Sequence, residues 1–452
     1  MSGTSGRDQK EMEAIVERLI GKAMAAGADA ADALIVEGLS MGASYRMGKL
    51  EDVDRSEGHD LGLRVFMGKR QAIASSNDFS NAALDELADR VVAMAKLAPE
   101  DPHCGLAPKE RLAKTWPSLD IEDLTEPSSQ DLADRAAEAE EAGLAVAGIT
   151  NSEGAGAGWG RGRVVLATSD GFVGGYASSS HSVSCSLIAG EGMGMETDYD
   201  FSSTRHLSDL DKAADVGRRA GERTVRRLGA KKVGTQKVPV VYDPRVSRSL
   251  LGHFAGAISG PGIARGTSFL KDRMNEPVFG EHITIIDDPH RKRGLSSKPF
   301  DGEGVANKAH TLIEDGVLTT WLLNASSAHQ LGLETTGHAA RGTGGPPGVS
   351  TTNLYMAAGE MSPEELIGEI KAGLYVTDLI GQGVNGVTGD YSRGAAGFWI
   401  ENGEITHAVN EVTIAGNLKD MFRALTPASD LVFQYGSNAP TIRIDGMTVA
   451  SG

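Results

Sequence analysis

The hydrophobic and polar positions of the first hundred residues predict two helices that flank a set of short strands. Apolar residues recur at helical spacing in residues 11–26, and Gly27 follows at the position that commonly ends a helix. Residues 81–97 show the same helical spacing. The segments between these helices are short, apolar and separated by glycines, namely 33–36, 43–47, 61–67 and 71–74. This pattern predicts an antiparallel meander and an N-terminal unit of the type α-β-β-β-β-α.

The middle of the chain predicts a linker followed by a second mixed region. The prolines of residues 101–127 favour an irregular linker, whereas residues 130–142 have helical spacing. The glycine-rich segment 154–162 predicts a flexible turn before a strand at 164–169. Further on, the pattern predicts a hairpin turn, a long strand and a helix, at Asp170-Gly171, 172–189 and 207–228 respectively.

The region from residue 236 onward is rich in glycine and in short strand patterns. A strand at 238–242 precedes a helix that runs to about residue 258, with Asp243 as N-cap and Pro244 in the first turn. Ser362 and Glu365 stand at capping-box spacing before a helix at 363–373. The remaining predicted strands are 283–286, 318–322, 397–400, 405–409, 412–414 and 441–444.

Together these elements predict an α+β fold, in which N-terminal α/β regions with an antiparallel meander precede a large β-dominated C-terminal domain. The expected division is a disordered tail at 1–10, an α+β domain at 11–100, a linker at 101–127, a middle α+β domain at 128–232 and a β-rich domain at 236–452.

Composition narrows the classes of function. The formal net charge of -17 disfavours binding to nucleic acid. The main cluster of basic residues lies at 218–232 and is expected to form a solvated helix face. No apolar run is long enough to cross a membrane, and the polar N-terminus predicts no signal peptide. With two widely separated cysteines, the chain is expected in a reducing compartment, the cytoplasm.

Common catalytic motifs are missing from the sequence. It contains no GxxxxGK[ST] and no HExxH, and the glycines of 154–162 do not fit a dinucleotide-binding loop. His181 and Cys185 share one face of a predicted strand and are interpreted as unrelated polar positions. Two acidic pairs, Asp287-Asp288 and Asp301/Glu303, are interpreted as turn caps.

The segment 341–352 is rich in glycine and proline, and it is expected to form either a mobile lid or an ordinary surface loop. Long loops of this kind inside β domains often bind ligands. The candidate residues of a peptide-binding or lid loop are His338, Arg341, Gly344, Gly345, Ser350 and Thr351.

Several strings of the chain resemble one family, the TldD/PmbA peptidases, and more closely its PmbA (TldE) branch. The resemblance covers nearly the whole chain, and the string 383–394 is the longest and most specific. The strings are 249–257 (SLLGHFAGA), 265–270 (RGTSFL), 300–304 (FDGEG), 312–318 (LIEDGVL), 335–337 (TTG), 383–394 (GVNGVTGDYSRG) and 400–405 (IENGEI).

The resemblance implies a zinc peptidase built from two subunits, in which the TldD-type subunit binds zinc through an HExxxH helix and a C-terminal cysteine. In this chain, Gly252, His253 and Ala257 occupy the three HExxxH positions, and the segment 430–436 contains no cysteine. One imidazole cannot replace a closed set of ligands. No catalytic and no metal-binding residue is therefore carried over, and no cofactor is expected in this chain.

The resemblance also implies the partners: a TldD-type metallopeptidase subunit that carries the zinc, and small or unfolded peptides as substrates. A homodimer remains open for the chain alone. The peptide could add to an open sheet edge as an extra strand. Two alternatives remain open. One is an independent peptidase that uses His253 with His338 or Glu303, and the other is a binding protein that modulates gyrase.

Overall fold

The computed structural model describes residues 8–451, and its elements confirm the α+β fold class. The helices of the described residues are α1 Gln9–Ala25, α2 Asn81–Leu97, α3 Ser129–Leu144, α4 Ala213–Arg226, α5 Pro244–Ala257, α6 Gly260–Ala264, α7 Ala325–Leu331, α8 Pro363–Gly368 and α9 Leu418–Ala424. The strands are β1 Ala30–Arg46, β2 Lys49–Met67, β3 Arg70–Ser76, β4 Ile149–Thr168, β5 Val173–Ala189, β6 Glu196–Thr204, β7 Gln236–Tyr242, β8 Ile285–Asp288, β9 His310–Glu314, β10 Val317–Leu318, β11 Ala339–Ala340, β12 Gly348–Val349, β13 Asn353–Met356, β14 Ala372–Ile380, β15 Asp390–Glu401, β16 Glu404–Asn417, β17 Leu425–Pro427, β18 Ser437–Asn438 and β19 Ile442–Ser451.

The chain start was predicted as a tail over residues 1–10, most of which lies outside the described residues. Helix α1 begins at Gln9, and the carboxylate of Asp8 accepts a hydrogen bond from the backbone N–H of Glu11 at 2.8 Å. Gly27 has a φ of +101° directly after the helix, which agrees with its predicted terminating position.

One antiparallel sheet, ordered β3-β2-β1-β4-β5-β6, joins the predicted N-terminal and middle regions. The separate strands predicted at 33–36 and 43–47 are wrong, because both belong to the single long strand β1. Glycines at positions 38 and 42 interrupt the apolar pattern but not the hydrogen-bonded ladder. The N-terminal unit is therefore α-β-β-β-α.

The glycine-rich segment 154–162 was predicted to be a flexible turn, and that prediction is wrong. These residues belong to β4, which pairs with β1 on one side and β5 on the other. Alternate positions such as Ala157 and Trp159 are buried, so the glycines between them face the opposite side of the sheet. Cross-strand partners there are also glycine or serine, and we call the resulting surface the glycine–serine face. Its members are Gly38, Ser40, Gly42, Gly156, Gly158, Gly160, Gly162, Ser178, Ser180 and Ser182.

The two faces of this sheet are covered differently. Helices α1 to α4 pack on one face. One hydrophobic cluster joins α1 and α2 to β1 and β2, a second joins α3 and α4 to β5, and a third joins α3 to β1 and β4. Part of the opposite face is covered by the C-terminal region, since Leu34 and Leu166 pack with Phe300. The glycine–serine face continues beyond that contact. The sheet thus holds the C-terminal region against strands β1 and β4.

The C-terminal region contains a closed barrel and a second sheet. Strands β16, β15, β14, β7 and β19 pair in that order, and β19 also pairs with β16, which closes the ring. The second sheet is ordered β10-β9-β8-β13-β18. The strands predicted at 405–409 and 412–414 are one strand, β16, and at 318–322 the structure has only the short β10.

Local turn and cap signals were predicted well. Asp243 accepts a hydrogen bond from the backbone N–H of Arg245 at 2.9 Å, and Ser362 and Glu365 form the predicted capping box. Two helices are shorter than predicted, because α4 begins at Ala213 and α8 ends at Gly368. Between residues 8 and 451, no helix combines the length and the apolar character that crossing a membrane requires.

Candidate functional site

Helix α5 carries the positions at which the family resemblance places HExxxH. Its buried side, including Leu250, Leu251 and Phe254, packs into the main hydrophobic cluster of the barrel. Gly252 lies on the exposed side of the helix, and a Cβ atom built there would meet nothing within 4 Å. Ala257 is 6% exposed. The helix therefore has the required backbone, but side-chain donors are missing at two of the three positions.

His253 is the one imidazole at these positions. Its ring lies edge-on to Tyr391 with 5.9 Å between the ring centroids. Burial lowers the pKa of His253, and the nearby Arg393 cation lowers it further. Within the described residues, its Nε2 atom has no hydrogen-bond partner. The ring is thus held neutral beside the barrel wall.

The segment 430–436, where the resemblance places the cysteine ligand, lies beside helix α5. The guanidinium carbon of Arg248 is 4.4 Å from the ring centroid of Tyr435. Asp430 does not point to a metal position, because its two carboxylate oxygens accept hydrogen bonds from the N–H and hydroxyl of Thr441, both at 2.8 Å. The structure therefore brings together the two parts of the expected site.

The side chains present at these positions do not fit a zinc ion. Zinc in proteins takes three or four nitrogen, sulfur or carboxylate ligands. Here the helix offers one imidazole, and the adjacent segment offers no thiol. Across residues 8–451, no three side chains of His, Cys, Asp or Glu are grouped closely enough to hold a metal ion.

The string 383–394 forms the exposed connection between β14 and β15 and the start of β15. Asn385 accepts a hydrogen bond from the N–H of Val387 at 2.9 Å, and Gly386 accepts one from Phe269 at 3.0 Å. Val387 is 57% exposed. Because β15 also carries Tyr391, this connection lies near the same end of the barrel as His253.

The predicted lid segment 341–352 is anchored at its start. The side chain of Arg341 is 1% exposed and forms an ion pair with Asp32 of strand β1. The backbone of Thr343 packs so closely on Gly62 that a Cβ at that glycine would lie 2.3 Å from the Thr343 carbonyl oxygen. Gly344 and Ser350 are exposed, whereas Gly345 and Thr351 are half-buried. A peptide-binding role of these residues stays a prediction.

Arg341 belongs to a buried charge cluster formed by Asp32, Arg64, Glu303 and Arg341. Arg64 Nε is 2.8 Å from Asp32 Oδ2, and Arg64 Nη2 is 3.8 Å from Glu303 Oε1. Burial raises the pKa of Asp32, but the attraction of Arg341 and Arg64 outweighs it and leaves the pKa below its usual value. This cluster fastens the C-terminal region to the sheet.

The turn-cap interpretation of the acidic pairs is correct for one member of each pair. Asp288 accepts a hydrogen bond from the N–H of His290, and Asp301 accepts from those of Glu303 and Val305. Burial, together with the charge of Glu303, raises the pKa of Asp301 to about 7.

The other two acidic residues do not cap turns. Glu303 joins the buried charge cluster. Asp287 accepts hydrogen bonds from the N–H and hydroxyl of Thr352, both at 2.7 Å, and lies 3.3 Å from Nε2 of His338.

The residues of the independent-peptidase alternative each contact a different partner. His253 contacts Tyr391, His338 contacts Asp287, and Glu303 contacts Arg64. Sequence reasoning missed the Asp287–His338 contact, because the two residues are far apart in the chain and neither stands in a local motif. Their shared position becomes visible only when β8 and the segment before β11 pack together.

Both cysteines are buried free thiols. Burial raises the pKa of Cys185 to about 12, and His181 on the same face of β5 lies 3.4 Å from a carboxylate oxygen of Asp123. The thiol of Cys185 is therefore protonated at neutral pH, which disfavours a nucleophilic role.

Comparisons with known proteins cover most of the chain. Three family models match: PmbA/TldA metallopeptidase domain 1 at residues 31–95, the central domain at 122–228 and the C-terminal domain at 235–451. Metalloprotease PmbA of Escherichia coli is 39% identical over 93% of this chain and 92% of its own length. A metalloprotease PmbA homolog of Haemophilus influenzae is 36% identical, covering 98% of this chain and 96% of the homolog.

Solved structures have the same fold. A putative modulator of DNA gyrase from Bacteroides thetaiotaomicron matches with a TM-score of 0.90 and 26% identity, over 98% of this chain and 99% of that one. TldE from Thermococcus kodakarensis matches with a TM-score of 0.87 and 21% identity, over 97% and 100% of the two chains. From the near full-length relatives and the three matching models, the chain belongs to the PmbA/TldD metallopeptidase family, in its PmbA (TldE) branch.

Proposed function

We propose that this chain is a zinc-free subunit of a two-subunit peptidase whose TldD-type partner supplies the zinc. The observation that carries the proposal is the open space at Gly252, where the family pattern places a histidine. Ala257 and the cysteine-free segment 430–436 support it in the same way. Relatives named metalloproteases support the link to proteolysis.

The exposed side of helix α5 and the 381–389 connection are the surface through which this subunit meets its partner. The glycines at 252 and 256 let another backbone approach closely, since neither has a neighbour within 4 Å of a built Cβ. Ile380 and Val387, which are 64% and 57% exposed, add apolar area beside them. An interface with an apolar centre of this kind suits a stable partner subunit.

A peptide substrate binds by adding a strand to the free part of β2. Strand β3 pairs with residues 61–67 of β2, so residues 49–60 pair with β1 on one side and leave the other side open. The barrel offers no comparable edge, because its strands form a closed ring. Backbone hydrogen bonds along an open edge bind extended peptides with little sequence preference.

We place the complex in the cytoplasm, which the two free buried thiols support.

The test is to purify the chain alone and together with a TldD-type chain. We expect no stoichiometric zinc and no peptide hydrolysis from the isolated chain, and chelator-sensitive hydrolysis from the pair. His253→Ala should change neither zinc content nor the activity of the pair, whereas an independent peptidase would lose turnover in this variant. Tightly bound zinc together with peptide hydrolysis by the isolated chain would overturn the proposal.

Co-purification from the native cell decides between this proposal and gyrase modulation. Recovery of a TldD-type chain supports the subunit role. Recovery of a topoisomerase without any TldD-type chain would favour the alternative suggested by the gyrase-modulator neighbour.

A further inference from the structure

A hydroxyl, an imidazole and a carboxylate lie in line beside a cavity of the C-terminal region, away from helix α5. Thr336 Oγ1 is 2.8 Å from Nδ1 of His338, and Nε2 of the same ring is 3.3 Å from Oδ2 of Asp287. The two ring nitrogens thus face different partners. We propose that Thr336, His338 and Asp287 form an acyl-transfer site that accepts small acyl esters, with Thr336 as the nucleophile.

The three groups have the contacts that a nucleophile, its base and an orienting carboxylate require. Asp287 is 1% exposed and is fixed by two hydrogen bonds from Thr352. His338 is 3% exposed and cannot turn freely. With Nε2–H directed to Asp287, Nδ1 is the acceptor that faces the Thr336 hydroxyl.

The hydroxyl of Thr336 is oriented by the backbone. Its oxygen accepts a hydrogen bond from the N–H of Leu323 at 2.8 Å. The carbonyl oxygen of Leu323 is farther from this hydroxyl, at 3.3 Å, than His338 Nδ1 is. The hydroxyl proton therefore has its shortest acceptor in the imidazole, and a second lone pair of the oxygen is left for a substrate.

Access comes from a cavity of about 260 Å³ on whose wall Thr336 lies. Lys308, Arg111 and Glu110 also line it, so two cations and one carboxylate leave a net positive charge that favours an acyl group with a negative charge. His310 lines the cavity as well, with its ring centroid 5.2 Å from that of His338. Burial lowers the pKa of His310 to about 4, so this ring is neutral at neutral pH. The cavity is smaller than typical drug-sized pockets, which limits the substrate to a short acyl chain.

The reaction balances without a metal or an oxidant. Thr336 Oγ1 forms a bond to the acyl carbon while its proton moves to His338 Nδ1, and the departing alcohol takes that proton as its C–O bond breaks. Water then attacks the acyl carbon of the acyl-threonine and gives a proton to His338. His338 passes that proton to Thr336 Oγ1 as the acyl C–O bond breaks, which releases the acid and restores both residues. Since no zinc takes part, this activity is independent of the proposed peptidase role.

The test uses the full chain in the presence of a chelator with p-nitrophenyl succinate as substrate and a fluorophosphonate as covalent probe. We expect a burst of p-nitrophenol and, by mass spectrometry, a probe adduct on Thr336. Thr336→Val, His338→Gln and Asp287→Asn should each lower the burst rate by about 10²-fold or more. Thr336→Ser keeps the hydroxyl and should retain the rate within about tenfold of the parent chain.

His282→Ala removes an exposed histidine outside this cluster and should leave the rate unchanged, which excludes esterolysis by surface imidazoles. Thermal unfolding of each variant checks that the fold is intact. If Thr336→Val does not fold, the burst rate of His338→Gln and the residue that carries the probe adduct test the proposal instead. An adduct on another residue, or a burst that survives in the folded Thr336→Val or His338→Gln chain, overturns the proposal. Failure here leaves the zinc content and partner dependence of peptide hydrolysis untouched, so the two proposals fail separately.

Discussion

Along helix α5 the glycines at 252 and 256 face open space, whereas His338 and Arg341 are buried among hydrogen bonds and ion pairs. The first region keeps the backbone of a ligand-bearing helix without its ligands. In the second region polar side chains are buried, where an unpaired charge would strongly destabilise the folded chain. Membership of the family alone therefore does not identify which residues of this chain could be chemically active. Helix α5 offers one imidazole at the three motif positions, whereas His338 and Arg341 each contact a buried carboxylate.

The largest expected effect comes from breaking the buried charge cluster with Asp32→Ala. Two arginine side chains, of Arg64 and Arg341, would lose their shared carboxylate in a buried position. We expect the free energy of unfolding to fall by about 3–5 kcal/mol, measured by urea denaturation. Asp215→Ala is the control, because its ion pair with Arg218 is exposed to solvent and its loss should change the free energy of unfolding far less. If the free energy of unfolding fell equally in the two variants, the buried charge cluster would not stabilise the fold more than an exposed ion pair does.

Gly62→Ala tests how tightly the 341–352 segment is held on strand β2. The new methyl group would collide with the backbone of Thr343, so we expect a loss of about 1–3 kcal/mol and faster proteolytic cleavage within residues 342–346. Gly58→Ala, in the same strand, meets nothing within 4 Å and serves as the control. If both variants were cleaved at the parental rate, the segment would not be anchored at Gly62.

A substitution on helix α5 should raise the free energy of unfolding, whereas the two substitutions above should lower it. Gly252→Ala adds a methyl group to open space and replaces glycine by the best helix former, so we expect a gain of about 1 kcal/mol in stability. Gly217→Ala, in helix α4, is the matched control, since its Cβ would lie 1.8 Å from the carbonyl oxygen of Ala139 and should destabilise the chain. A loss of stability in Gly252→Ala would show that this side of α5 is already packed.

The smallest expected effect is a pH dependence from His310. Its pKa is lowered to about 4 in the folded chain from an ordinary value of 6.5, so between these pH values the unfolded chain binds a proton that the folded chain does not. Stability should therefore decline as the pH falls from 6.5 towards 4. The ring is partly exposed, so we expect less than about 1 kcal/mol. His310→Gln should flatten this slope in denaturation curves; an unchanged slope would assign it to other groups.

What the sequence predicted correctly was local. The Asp243–Pro244 helix start and the Ser362/Glu365 capping box depend on residues a few positions apart, and both formed as expected. The same holds for the turn at Gly171, whose φ is +95°. In each case the partner that satisfies the backbone lies within the same short segment.

The features that the sequence did not predict depend on contacts between residues far apart in the chain. Glycine usually marks a turn, so Gly38 and Gly158 were taken to interrupt strands, although each has a cross-strand partner on both sides. Only the register of β1, β4 and β5 shows that these positions share one face. The contact between Asp287 and His338 is equally non-local, and no spacing rule could reveal it.

The central place of β1 has a consequence for how the chain is made. Its residues 32–45 pair with residues 155–168 of β4, which leave the ribosome only after the whole of α2, the irregular segment and α3. During that interval one side of β1 has no partner in the nascent chain, and unpaired strands of this length invite pairing between molecules. We therefore expect early-terminated fragments that end near residue 100 to aggregate, while the completed polypeptide closes its own sheet.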